Sequence, residues 1–226
     1  MKQENRNNYI AFIGDIRNSK NIEDRKSIQI KLNNVLNELN IVYNSTIMSN
    51  FIITLGDEFQ GLLCSEKHLM EIILKIKKAL YPVQLRFGIG IGAITTDINP
   101  EMSLGADGPG YYYARTAINE VKLSEHKKKT ADYDIKIILN NNDSVLTISL
   151  NTIFMLMSCI ENSWTDRQRE VIWDLLEHKG NQNTAAKRMG ITQPSLQKTL
   201  SNGHYYAYKT ALENIDKILE EVYYDT

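Results

Sequence analysis

Cysteine is almost absent from this sequence: Cys64 and Cys159 are the two examples in 226 residues. Their separation argues against a disulfide scaffold, and His68, His126, His178 and His204 are scattered without the close pair spacing of a zinc site. Also missing is any run of about 18 apolar residues, the length a membrane-spanning helix needs. The opening Met-Lys-Gln-Glu-Asn-Arg lacks the apolar core of a secretory signal. The expectation is a cytoplasmic protein that neither spans nor crosses a membrane. Net charge is −1 with 42% hydrophobic residues, which permits a buried core in one large or two modest domains. No internal repeat occurs, and the nearest thing to low complexity is Lys127-Lys128-Lys129.

What is present is a regular alternation of patterns. YIAFI at 9–13 reads as a strand buried on both faces, ending at Gly14-Asp15. Ile28, Leu32, Val35, Leu36 and Leu39 then fall at helical spacing within 21–39. Two strand-like runs, 50–55 and 58–63, are so close that a tight Gly56-Asp57 turn must join them as a hairpin. EKHLMEIILKIKKAL at 66–80 is a second amphipathic helix, and Pro82 stops it before a strand at 83–94. Strand, helix, strand, strand, helix, strand is the split βαβ order of a ferredoxin-like α+β domain. Beyond it the pattern predicts a helix at 111–123, the polar stretch SEHKKKTAD, a hairpin of 135–139 with 145–148 through Asn-Asn-Asn-Asp, and an apolar helix at 150–160.

TLGDEFQGLL at 54–63 sets two carboxylates, Asp57 and Glu58, between buried strand runs. In a split βαβ sheet the first strand neighbours the hairpin, so Asp15 and Asp57 can converge at one sheet end. Two hard oxygen ligands there suit Mg²⁺, which takes its remaining ligands from water and substrate phosphates. Asp57 alone also reads as a hairpin-turn residue and Asp15 alone as a helix cap. Strand alternation points Glu58 away from Asp57. Arg17, Asn18, Ser19 and Lys20 lie between a strand end and a helix start, where backbone N–H groups and basic side chains can receive phosphate; a solvated loop is the alternative. Gly88, Gly90 and Gly92 share one strand face, which close helix packing or a ligand would explain.

YIAFIGDIRNSK, FIITLGDEFQGLL, LRFGIGIGAI and GPGYYYARTAI together resemble the palm-type catalytic domain of class III nucleotidyl cyclases and GGDEF diguanylate cyclases. With the C-terminal region described next, the whole chain resembles the SatD family. The palm resemblance implies that Asp15, Asp57 and the Ile16 carbonyl hold Mg²⁺ or Mn²⁺. It also implies that the metals activate a 3′-hydroxyl of a nucleoside triphosphate, that Arg115 stabilises the transition state, and that the protein is a homodimer. Departures are visible. Tyr111 stands at the position of the cyclase asparagine, Ile53 at that of the purine-reading lysine, and Leu55 where GGDEF has its first glycine. Metal and phosphate binding are therefore better preserved than base recognition or cyclisation.

After Ser163 the character changes. Thr165-Asp-Arg-Gln168 has capping-box form and opens a helix with Val171, Ile172, Leu175 and Leu176 on one stripe, ended by Gly180. Short helices at 183–189 and 193–201 flank Gly190-Ile191-Thr192 and spell helix-turn-helix, similar to region 4 of sigma factors, with a last helix at 205–222. Division at 1–163 and 164–226 follows. Between 181 and 211 the charged residues are Lys187, Arg188, Lys198 and Lys209, with no acid among them, which favours phosphate neutralisation. Gln193, Ser195, Lys198, Thr199 and Asn202 face outward from the second helix as candidate DNA contacts. A protein-interaction domain is the alternative for this region. The whole reads as a nucleotide-responsive DNA-binding regulator, with an active metal-dependent nucleotidyl cyclase or nucleotidyltransferase and a dimerisation scaffold with vestigial carboxylates as the competing functions.

Overall fold

In the computed structural model, which describes residues 8–125, 133–139, 144–178 and 181–225, the run YIAFIGDI forms a central strand, β1 (Tyr9–Ile16). It is followed by α1 (Arg25–Val42), the hairpin β2 (Ile47–Leu55) and β3 (Glu58–Leu63), α2 (Leu69–Leu80) and β4 (Leu85–Gly92). Then come α3 (Pro109–Ser124), β5 (Ile135–Ile138) and α4 (Val145–Asn162). The sheet runs β2-β3-β1-β4-β5, antiparallel throughout except that β5 lies parallel to β4. The fold is thus α+β around a mixed five-stranded sheet.

Alternation along β1 assigns its two faces. Ile10, Phe12 and Ile16 join the larger core with Leu32, Leu36, Ile72 and Ile76 of α1 and α2. Phe12 lies edge-on to Phe51 and Phe87 at centroid distances of 5.1 and 5.6 Å, geometry that adds about 1 kcal/mol per pair to area burial. Ala11 and Ile13 face the other way, towards Tyr111, Ala114 and Ile118 of α3. Helix packing accounts for the β4 glycines: a Cβ on Gly88 would sit 2.4 Å from the Ala114 carbonyl, and one on Gly90 2.1 Å from that of Gly110.

β1 continues to Ile16, so Asp15 lies inside the strand rather than after it, and α1 is capped by Asp24, whose carboxylate accepts from the Ser27 amide. The hairpin expected from 135–139 and 145–148 is corrected. Val145 begins α4, where Ser144 caps the helix by accepting from the Thr147 amide, and β5 pairs with β4 instead. The β-branched run misleads because its apolar residues also satisfy helical spacing, with Leu150, Phe154 and Met157 buried. The turn at 140–143, most of the polar stretch (126–132) and Gly180 lie outside the described residues. By length and composition α4 is the one helix among the described residues able to cross a membrane, and its buried stripe packs on β5 and α8.

α5 (Asp166–Glu177), α6 (Gln182–Arg188), α7 (Gln193–Asn202) and α8 (Tyr205–Asp225) complete the chain. The capping box at Thr165 and Gln168 is formed. The hydrophobic core runs across the 163/164 link, for Ile215, Leu219 and Val222 of α8 belong to the same cluster as Ile72 and Phe154. Polar contacts cross it too: Trp164 Nε1 donates to the Gly203 carbonyl at 2.7 Å and Tyr223 Oη to that of Cys64 at 2.5 Å. At the junction Lys77 Nζ meets Asp134 at 2.5 Å and Glu161 at 2.7 Å, and Arg169 bonds both the Glu161 carboxylate and its carbonyl. Burial works against the Lys77 charge, yet Asp134 and Glu161 overcome it and raise its pKa; the Lys77 charge likewise outweighs burial and holds Asp134 below the usual carboxylate range.

Candidate functional site

The alternation that buries Ala11 and Ile13 under α3 brings Asp15 to the same face, where the registers set it opposite Glu58 of β3 and Arg86 of β4. α3 crosses above, and its residues 115 and 122, two helical turns apart, reach these strands. Arg115 grips Glu58 bidentately, at 2.5 and 2.8 Å. Asp15 Oδ2 receives Arg86 Nη1 at 2.6 Å and Lys122 Nζ at 3.1 Å. The other edge of the Arg86 guanidinium binds Glu125 at 2.6 and 2.7 Å, and Arg17 Nε lies 3.0 Å from the same carboxylate. Hydrogen bonds to Glu125, then Asp15, raise the Arg86 pKa against the opposing effect of burial, and those to Glu58 raise that of Arg115.

Glu58 is thus a partner of Arg115, and Arg86, Lys122 and Glu125 belong to the site although none is among the candidates read from the sequence. The signal for Arg86 was available, since it shares strand parity with Gly88, Gly90 and Gly92. Truncation at Arg115→Ala leaves the nearly buried Glu58 without its fork, and because the arginine side chain is 44% exposed the loss is expected to be about 1 kcal/mol, read from the urea midpoint.

Asp57 occupies the hairpin tip, where Gly56 adopts φ +63°. The Asp57 carbonyl accepts the Ile16 amide at 3.2 Å, which ties the tip to the end of β1, while its carboxylate accepts the Ser19 hydroxyl through Oδ2. Gln29 Nε2 donates to the Gly56 carbonyl at 2.6 Å, and Gln29 and Arg25 of α1 line a shallow pocket with Ser19 and Asp57. Ser19 and Lys20 belong to a one-turn 3₁₀ segment (Ser19–Asn21) entered through Asn18 at φ 51°. Asn18 and Lys20 are exposed, whereas Arg17 turns the other way, with Nη2 donating to the Tyr133 carbonyl at 3.1 Å. Among the described residues, the hydrogen bonds and ion pairs of Asp15 and Asp57 fall on Oδ2 in each case, which leaves Oδ1 of each carboxylate unengaged. Among the described residues no group of three or more His, Cys, Asp and Glu side chains is arranged to hold a metal. A two-carboxylate site completed by backbone and ligand oxygens is the kind Mg²⁺ accepts.

Residues 9–217 match the family model described as SatD family. The chain belongs to the SatD family. No curated protein matches its sequence. Among solved structures it is similar to the catalytic core of a rhodopsin-guanylyl cyclase with converted specificity in complex with ATPalphaS, at 17% identity, over 58% of this chain and 77% of that one, with a TM-score of 0.39. It is also similar to a dimeric guanylyl cyclase domain of the RhoGC fusion protein from the aquatic fungus Blastocladiella emersonii, at 17% identity, 58% and 78% coverage and a TM-score of 0.39. A regulator of polyketide synthase expression from Bifidobacterium adolescentis is similar at 12% identity, 93% and 86% coverage and a TM-score of 0.29. Similarity at this level fixes neither substrate nor chemistry.

In this SatD-family chain, Asn181 caps α6 and Thr192 caps α7 through the Ser195 amide, with Gly190 at φ +64° in the turn between them. Leu196 and Leu200 are buried, which leaves Gln193, Ser195, Lys198 and Asn202 exposed and Thr199 half-buried. Lys187 is exposed as well. Arg188 differs, because Asp174 of α5 takes its guanidinium at 2.8 and 3.1 Å through Nε and again through Nη2, and thereby compensates its charge. The acid missing from 181–211 is supplied by the neighbouring helix.

Proposed function

We propose that this SatD-family protein is a cytoplasmic nucleotide-responsive regulator: its sheet binds a nucleoside triphosphate with Mg²⁺ or Mn²⁺ at Asp15 and Asp57, and α6–α7 is a helix-turn-helix that binds DNA, in a homodimer. One observation carries the reading. The hairpin tip with Asp57 is hydrogen-bonded to Ile16, the residue after Asp15, and among the described residues Oδ1 of both carboxylates is unengaged, beside a segment, 18–20, that can meet phosphate. Asp15, the Ile16 carbonyl and Asp57 would hold the metal; Asn18, Ser19 and Lys20 would meet the phosphates. The split βαβ order supports the palm assignment, and the caps and glycine turn of α6–α7 support the helix-turn-helix. The DNA half is tested by fluorescence anisotropy on random duplex across salt concentrations. Lys187→Ala and Lys198→Ala are each expected to reduce the salt slope by about 1, and an unchanged slope in both removes α6–α7 from the interface.

A catalytic reading, in which the same site turns the nucleotide over, is favoured by the place of Arg115 above the carboxylate end of β1 and β3. It requires Arg115 to exchange Glu58 for a phosphate, and a metal-dependent product in chromatography of triphosphate incubations is its test.

A further inference from the structure

Between the start of β4, the end of α2, and the α4–α5 corner lies a cavity of about 340 Å³, within the range of small-molecule sites. It is separate from the Asp15–Asp57 site. Among the described residues its wall carries three cations, Arg17, Lys77 and Arg169, and two acids, Asp134 and Glu161, with Arg17 also paired to Glu125 outside the cavity. Both acids are already committed: Glu161 accepts from Lys77, Arg169 and, at 3.3 Å, the Tyr208 hydroxyl, while Asp134 accepts from Lys77 and Ser158. What remains unmet is on the donor side. Arg169 Nε and Trp173 Nε1 are buried without a hydrogen-bond partner, and Trp173 is only 8% exposed. A buried N–H left without an acceptor costs about 1–3 kcal/mol, so these two unmet donors, one of them on a guanidinium, call for an acceptor, and a negative one suits the guanidinium best. The Arg169 guanidinium is held face-on to Tyr81, Trp164 and Trp173, 5.0 to 5.4 Å from the ring centroids, which fixes its direction before anything binds.

We infer that this cavity is an effector site for a small oxyanion, a carboxylate or a phosphate, held by Arg17, Lys77 and Arg169. Its position gives the ligand a route to both ends of the molecule. Arg17 is shared with Glu125, which in turn holds Arg86 on Asp15, so an anion that draws Arg17 away loosens the clamp on that carboxylate. Arg169 and Trp173 belong to α5, the helix whose Asp174 binds Arg188 of α6. The two arrangements, Arg17 on Glu125 and Arg17 on the anion, are the states the ligand would select between.

The chain's two tryptophans, Trp164 and Trp173, both line this cavity, so intrinsic fluorescence reports on it selectively. The full-length protein would be titrated, without divalent cations and at constant ionic strength, with inorganic phosphate in one arm and succinate in the other, with chloride as the control. Gln84 and Asn162 are exposed residues on the rim, so Gln84→Glu and Asn162→Asp add negative charge without disturbing a buried contact. A saturable tryptophan response to phosphate or succinate, weakened at least fivefold by either variant and strengthened by Gln84→Lys, is expected; the arm that saturates names the source of the oxyanion. No response in either arm, or one that the rim variants leave unchanged, overturns the assignment and leaves the cavity to solvent.

Discussion

Gly90→Ala is expected to destabilise the protein by about 3 kcal/mol, seen as a lower urea midpoint with an unchanged slope and a Tm lower by about 6–12 °C. The added Cβ would meet backbone on two sides, the Gly110 carbonyl at 2.1 Å and the Ala114 amide nitrogen at 2.4 Å, so no side-chain rotation relieves it. α3 must lift off β4, and with it Arg115 and Lys122 leave Glu58 and Asp15. Loss of packing and loss of the site are therefore coupled at this position. Gly92→Ala is the internal control: its nearest contact would be 3.0 Å, which asks only a few tenths of an ångström of the neighbours. If Gly90→Ala melts with the parent, α3 does not seat on β4 as described.

The second large effect is at Lys77. Lys77→Met keeps the aliphatic stem but strips the buried Asp134 of its cation, and breaking such a pair on one side costs about 3–5 kcal/mol at neutral pH. The pH dependence has a definite sign. Asp134 has its folded pKa depressed below its unfolded value of 3.8, so its stabilising contribution is present above pH 4 and is lost as pH falls through the lower folded value. In Lys77→Met burial acts unopposed by that cation and pushes the Asp134 pKa up, so the variant's deficit shrinks on acidification. Thermal melts of both proteins between pH 3 and 7 check this. A gap that widens as pH falls contradicts the charge assignment, whereas a parallel offset at every pH reduces Lys77 to a packing role.

Much of the sheet was legible because its pattern is local. YIAFI, FIITL and LRFGIGIG announce strands by composition, and GD between two such runs leaves no room for anything but a hairpin. Places where two readings obey the same spacing were not legible. VLTISL satisfies strand composition and helix period together, and the Ser144 cap decides for the helix. β5 was found, but its partner is β4, forty-odd residues earlier, and no local signal names a non-local pairing.

The candidate site divides in the same way. Asp15 and Asp57 stand out because charge interrupts apolar runs. The pairs Arg86–Asp15, Arg115–Glu58 and Lys122–Asp15 depend on register across three elements and on the crossing of α3, which spacing along the chain does not encode. Arg188 makes the same point: its segment holds no acid, yet Asp174 reaches it from α5. Continuity of the core across 163/164 is likewise a packing fact, carried by residues such as Leu219 and Val222 that any amphipathic helix would show.

The measurement that bears most directly on the proposed function is calorimetry of the full-length chain with each nucleoside triphosphate, with and without Mg²⁺ or Mn²⁺, for the parent and for Asp57→Asn and Asp15→Asn, each checked for an intact fold by circular dichroism. Metal-dependent binding of at least one triphosphate, weakened tenfold or more in both variants, is the predicted result. Absence of binding for every triphosphate with either metal, or equal affinity in the parent and both folded variants, would contradict a metal-nucleotide site at the end of β1 and the hairpin tip.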